Sequence, residues 1–166
     1  MKITATFCRL AGGVLFGLLL SLPAWAADAP PPKPDLNAAK VFRLLSASGY
    51  EYTKKSDTVW YIMKHGDNQG DFKVIGANEG DLLVVFVTVA QKAHIQMDLD
   101  LASKLLSLNN DLDQVKIDID NDGDAFVRTD ISIRILDKDA LKAVIEQVAA
   151  AAEETYAAMK PYTDYQ

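Results

Sequence analysis

The segment Asp118-Ile119-Asp120-Asn121-Asp122-Gly123-Asp124 sets carboxylates at every second position and ends on a glycine turn. Hard cations such as calcium take oxygen ligands in an Asp-x-Asp-x-Asp-Gly spacing, with the glycine making the sharp bend. The back half of such a loop is missing. Its twelfth position, which normally supplies a bidentate Glu, is Thr129. The flanks also alternate polar and apolar residues, as strands do and entering helices do not. The same residues read as a β-hairpin, with Asp118 and Asp120 on the solvent side and Asp122-Gly123 in the turn.

The other residue types that could do chemistry are scattered. His65 and His94 stand alone, next to Lys64 and Ala93, without the His-x-x-x-His spacing or cysteines of a zinc site. Either could serve as a general base only in a pocket that unites it with carboxylates, as a hydrolase would require. Six serines follow the first apolar run, and none lies in Gly-x-Ser-x-Gly or Ser-x-x-Lys. Gly66, Gly70, Gly76 and Gly80 look like turn or strand glycines and form no phosphate-cradling loop. No catalytic, cofactor-binding or metal-binding residue is assigned on this basis, and the chain reads as a non-enzyme. With 17 Lys and Arg against 23 Asp and Glu, its net charge of −6 also argues against a non-specific nucleic-acid binder.

Aromatic residues offer a different chemistry. Tyr50, Tyr52, Trp60, Tyr61 and Phe72 cluster in the first half. On alternating strands such residues form a sheet core more often than a binding surface. Phe126 is more informative, because it shares the polar face of its strand with Arg128 and Asp130. An apolar ring there implies helix cover, a dimer contact or a ligand patch, and Phe126 is the candidate for a partner surface.

The elements that must position these residues begin after a leader. Lys2 and Arg9 precede a short apolar run, Leu10 to Leu22, which Pro23-Ala24-Trp25-Ala26 follows. This is the layout of a secretory signal peptide over residues 1–26, with small residues at Ala24 and Ala26 and cleavage before Ala27. The run is too short for a membrane span, which needs about 20 apolar residues. A periplasmic or secreted location is therefore expected, with no membrane span after cleavage. Removing 26 of the 166 residues leaves 140, and 15 cations then face 23 acids, a net charge of −8. The single cysteine, Cys8, leaves with the leader, so the mature chain has no disulfide. Residues 27–35 hold four of the prolines and read as an extended tether.

From residue 36 the pattern becomes globular. Asp35 can cap a helix from Leu36 to about Ser48, and Gly49 can stop it. Tyr50–Thr53 and Thr58–Met63 read as strands, residues 65–70 as a loop, and Phe72–Ala77 as a strand. Leu82–Val89 is nearly all apolar, which predicts a central strand covered on both sides. A helix starts near Asp98 or Asp100, with Leu101, Leu105, Leu108 and Leu112 as its buried stripe. Two alternating strands flank the acidic turn. Asp137 can cap a last helix whose inner face runs from Leu141 to Met159, and Pro161 ends it. In the hairpin, pairing Ile119 with Val127 would set Asp118 opposite Arg128 and Lys116 opposite Asp130, a register favoured by opposite charges. The sum is α+β: an antiparallel sheet of five to six strands with three helices, one domain over 36–162 and a tail at 163–166.

Leu108-Asn109-Asn110, the alternating strand to Asp120, then Asp122-Gly123-Asp124-Ala125-Phe126-Val127-Arg128-Thr129-Asp130-Ile131 and a long Ala-rich helix through Tyr156 resemble the YbjN-domain family. The resemblance extends over about Leu36 to Tyr162. It implies a fold similar to type III secretion chaperones, often dimeric, that binds segments of other proteins. Members are described as regulators of bacterial sensory transduction, without established catalytic residues. A protein or peptide partner and a homodimer are thus what the resemblance implies, and no cofactor. The signal peptide sets this chain apart from a cytoplasmic secretion chaperone. The leading expectation is a non-enzymatic, extracytoplasmic protein-binding or regulatory module. The alternative is a small-ligand or calcium-binding periplasmic protein using the acidic turn 118–124.

Overall fold

The computed structural model describes residues 35–164. The signal peptide, its cleavage site at Ala24, Ala26 and Ala27, the tether before Asp35 and the last two residues of the tail lie outside the described residues. Helix α1 (Leu36–Ser48) begins where the Asp35 carboxylate accepts the N–H groups of Asn37 and Ala38, at 2.9 and 3.1 Å. It ends at Gly49, whose φ of 84° suits a residue without Cβ. Strands β1 (Thr53–Lys54), β2 (Val59–Gly66), β3 (Gly70–Glu79) and β4 (Leu82–Ala90) follow as a meander. Then come α2 (Leu99–Asp111), β5 (Lys116–Ile119), β6 (Ala125–Ser132) and α3 (Lys138–Met159). Asp98 and Asp137 each cap their helix by accepting an N–H three residues on. The six strands are antiparallel, in the order β1-β2-β3-β4-β6-β5.

The helices lie on one face of the sheet. Trp60, Ile62, Val74, Leu83, Val85, Val87, Ala125 and Val127 point into that layer and are buried, alternating with more exposed neighbours. Leu141, Val144, Ile145, Val148, Ala152 and Met159 of α3 meet them, while Tyr156 is half-buried. Glycine is required where Trp60 pairs with Gly76, since a Cβ on Gly76 would sit 2.1 Å from the indole ring.

Three expectations need correction. The first strand shortens to Thr53–Lys54 and the proposed loop at 65–70 tightens to residues 67–69, with His65 and Gly66 in β2. The Glu153 carboxylate of α3 makes that tight turn stable by accepting the N–H groups of Asn68 and Gln69, at 2.8 and 3.1 Å. Second, β4 is central, but among the described residues helices cover it on one side alone. Val84, Phe86 and Thr88 alternate with its core residues and point to the helix-free face, where Phe86 is half-buried and Thr88 exposed.

Third, the hairpin register differs. Ile119 pairs with Ala125, Asp118 with Phe126, Ile117 with Val127 and Lys116 with Arg128. The turn decides this. Asp120 Oδ1 accepts the N–H groups of Asp122, Gly123 and Asp124 at 2.8–2.9 Å, and Gly123 takes φ 91°. Asp120 and Asp124 are thereby locked opposite each other, and the ladder counts from there. The two facing cations are relieved diagonally. Asp130 bonds Arg128 at 2.7 Å and lies 3.4 Å from Lys116.

Candidate protein-binding face

The helix-free face of the sheet carries more apolar surface than its polar strand pattern announces. Tyr61, Ile75 and Phe86 form one cross-strand row that continues to Arg128 and Lys116. Phe126 sits opposite Thr88 on β4 and packs edge-on against Phe86, with ring centroids 6.5 Å apart and planes at 70°. Helix cover, one of the readings for Phe126, is thereby excluded. Between these rings and Val84 runs a groove of about 230 Å³, with Glu79, Asp120, Asp124 and Arg128 along its margins. Farther across the face, the Lys55 and Lys73 ammonium groups lie 5.3 and 5.2 Å from the Tyr61 ring centroid. A hydrogen bond from Thr53, with help from those two charges, holds the Tyr61 phenol below its usual range. Of the other aromatics, Trp60 and Phe72 are core residues, and Tyr50 and Tyr52 pack against the core from its edge.

A second apolar patch lies on the helix side at the end of the sheet. Met97, Leu105, Leu106, Ile117 and Ile119 enclose a hollow of about 270 Å³ between α2 and β5. Leu106 is 72% exposed and Leu99 83%. Seven residues apart, they form a second stripe on α2, beside the buried one of Leu101 and Leu105. Asn109 closes the outer edge of β5, where its side-chain oxygen accepts the Ile117 N–H at 2.7 Å. The Leu-Asn-Asn segment thus caps an edge strand that would otherwise offer a free donor.

Each histidine pairs with an aspartate. His65 bonds Asp71 at 2.7 Å, and both side chains are more than three-quarters exposed. The pairing, first through the hydrogen bond and then through the Asp71 charge, raises the His65 pKa above its ordinary 6.5. His65 does border a shallow hollow with Asp67, Glu153 and Glu154, but Glu153 is occupied by the turn it holds. His94 bonds Asp164 at 2.7 Å at the opposite end of the chain. In the acidic turn, Asp120 Oδ1 serves three backbone donors and Asp124 Oδ1 accepts the Lys92 N–H at 2.9 Å. Among the described residues no three His, Cys, Asp or Glu side chains group as metal ligands. The alternation that suggested calcium is the two-residue period of a strand plus the needs of its turn.

The sequence singled out Phe126 but not Phe86, which lies on the same face of the sheet. The available signal was the unbroken apolar run of β4. Read as double cover, it was the inner face together with half of an open one. The stripe of Leu99 and Leu106 was also legible by its spacing of seven.

Burial in α3 and its partners is reinforced by polar contacts. Tyr50 donates to Glu146, which also accepts Lys64 at 2.7 Å. Burial and the Glu146 carboxylate push the Tyr50 phenol up to about 12.

Comparison with solved structures gives the same fold at low identity. A chain of the heterodimeric ExoU-SpcU complex from the type III secretion system of Pseudomonas aeruginosa is 15% identical, with a TM-score of 0.51, over 74% of this chain and 96% of that one. A chain of the ExsC-ExsE complex is 16% identical, with a TM-score of 0.54, over 74% and 95%. YbjN from E. coli is 14% identical, with a TM-score of 0.51, over 72% and 91%. The α+β, type III secretion chaperone-like fold expected from the sequence is the one observed. No curated protein matches the sequence. A family model does: residues 37–161 match YbjN, described as "Putative bacterial sensory transduction regulator", and the chain belongs to that family.

Proposed function

We propose that this protein is a non-enzymatic, extracytoplasmic module that binds a segment of another protein on the helix-free face of its sheet. The observation that carries the reading is the Phe86–Phe126 pair on a face that no helix covers among the described residues. Half-buried aromatic rings beside polar margins match the composition of protein interfaces. The fold adds support, since two of the similar chains come from complexes with a partner. The extracytoplasmic assignment rests on the leader 1–26 and its Ala24-Trp25-Ala26 site.

A photo-reactive amino acid at position 126, introduced in the full precursor, tests the face. Ultraviolet light is expected to join it to a discrete protein in the extracytoplasmic fraction, with mature chains starting at Ala27 by mass spectrometry. The same probe at Lys138 should give no such product. Equal products at both positions, or none at 126, would sink the reading.

The hollow between α2 and β5 supports a homodimer as well. No ionisable side chain lines it, so two copies of an acidic chain can meet there without like-charge contact. Leu106 lines that hollow and is 72% exposed, so it can meet the same patch on a second copy, as an isologous contact needs.

A further inference from the structure

We propose that the Phe86–Phe126 groove selects a basic segment with an apolar anchor: one aromatic or aliphatic side chain flanked on both sides by Lys or Arg. This rests on the open-face reading above and adds the chemistry of the occupant.

The groove follows Val84, Phe86 and Thr88 along β4. At about 3.4 Å per residue those positions span roughly 14 Å, the rise of four extended residues. Its floor is apolar: the two rings pack edge-on against each other, and an anchor would lie over them beside Val84. Its ends are acidic. Glu79 lies at the Val84 end, next to the pairing of Ala77 with Val84. Asp120 and Asp124 lie at the other end, with Asp118 directly across from Phe126.

Among the described residues Lys92 is the cation beside the acidic turn, its stem against Gly123, and it is one charge against four acids. Arg128 makes two bonds to Asp130, at 3.1 and 2.7 Å, and Lys116 shares the same carboxylate at 3.4 Å. Two cations therefore attend one acid, while Glu79, Asp118, Asp120 and Asp124 stay in surplus around the rings. Asp120 and Asp124 each give one oxygen to the backbone and keep the other. A second copy of this chain, itself acidic at −6 in full and −8 without residues 1–26, is the wrong occupant on charge. A cation beside an apolar group gains twice, from the acids and from the faces of the two rings.

The purified full-length mature chain is used to select from a random heptapeptide display library. The expected enrichment is for an apolar residue with Lys or Arg on both sides. Binding of an enriched peptide, followed by fluorescence anisotropy, should weaken at least tenfold in Phe126→Ser. Because that variant removes a packed ring, Glu79→Lys and Asp118→Lys provide a second arm. Neither carboxylate has an ion-pair partner among the described residues, and each reversal should also weaken binding about tenfold while leaving the unfolding midpoint in place. Enrichment of acidic or uncharged apolar peptides that still depends on Phe126 would overturn the basic chemistry and leave the open face as the binding face. Enrichment indifferent to Phe126 and to both charge reversals would overturn the groove and the face together. Self-association through this groove, lost in Phe126→Ser, would also overturn the proposal.

Discussion

His65 and Asp71 face each other across the β2–β3 hairpin. The raised pKa of His65 has a definite sign for stability. A cation favoured by folding contributes fully below the unfolded value near 6.5, and the contribution disappears as pH rises through the higher folded value. Both groups are exposed, so the effect on unfolding is small and the titration itself is the better readout. The His65 ring protons should titrate above pH 6.5 by NMR and move down in Asp71→Asn. Asp120 is the more consequential residue. Replacing it with Ala removes the acceptor of three N–H groups and should cost roughly 1 kcal/mol by urea unfolding, comparable to losing a helix N-cap. Calcium at millimolar concentration should leave the wild-type midpoint unmoved, because among the described residues no three acidic side chains converge on one point. A calcium-dependent rise would contradict this account of the acidic turn.

At the scale of elements, β2 and β3 are held in register by a fit between one large and one absent side chain. Trp60 is fully buried and its ring lies where a Gly76 Cβ would go. Gly76→Ala should therefore destabilise by roughly 1–3 kcal/mol, the usual cost of overpacking. The same substitution in a Trp60→Phe background should cost less, which denaturant unfolding of all four proteins resolves as a coupling. The helix ends were legible in the sequence because capping is local: Asp35, Asp98 and Asp137 each act within three residues. The hairpin register was not. Opposite charges favoured one pairing, but an exposed ion pair is worth at most about 1 kcal/mol, too little to outweigh the hydrogen bonds of a specific turn. Once Asp120 and Asp124 face each other, every later pair follows, and the charges adjust diagonally through Asp130.

At the scale of the whole molecule, two apolar surfaces remain on opposite layers, the open sheet face and the α2–β5 hollow. If the second is a self-association surface, Leu106→Glu places a charge in its centre. Sedimentation should then show a dimer for the wild type and a monomer for the variant, with the thermal midpoint little changed because Leu106 is exposed. A monomeric wild type would remove the dimer reading and leave the open face untouched. The sequence by itself determined the α+β class, the helix boundaries and their caps, the core stripes of α1 and α3, and the family. These follow from periodicity and short-range hydrogen bonding, which a single strand of text carries. The tertiary structure alone decided that β4 has one covered face and one open face, that Phe86 joins Phe126, and that the acidic turn serves its own backbone. Strand order, the side on which helices land and the register of a hairpin depend on residues far apart in the chain. An apolar run states that a strand avoids water, but only its neighbours in space determine which of its faces has been hidden.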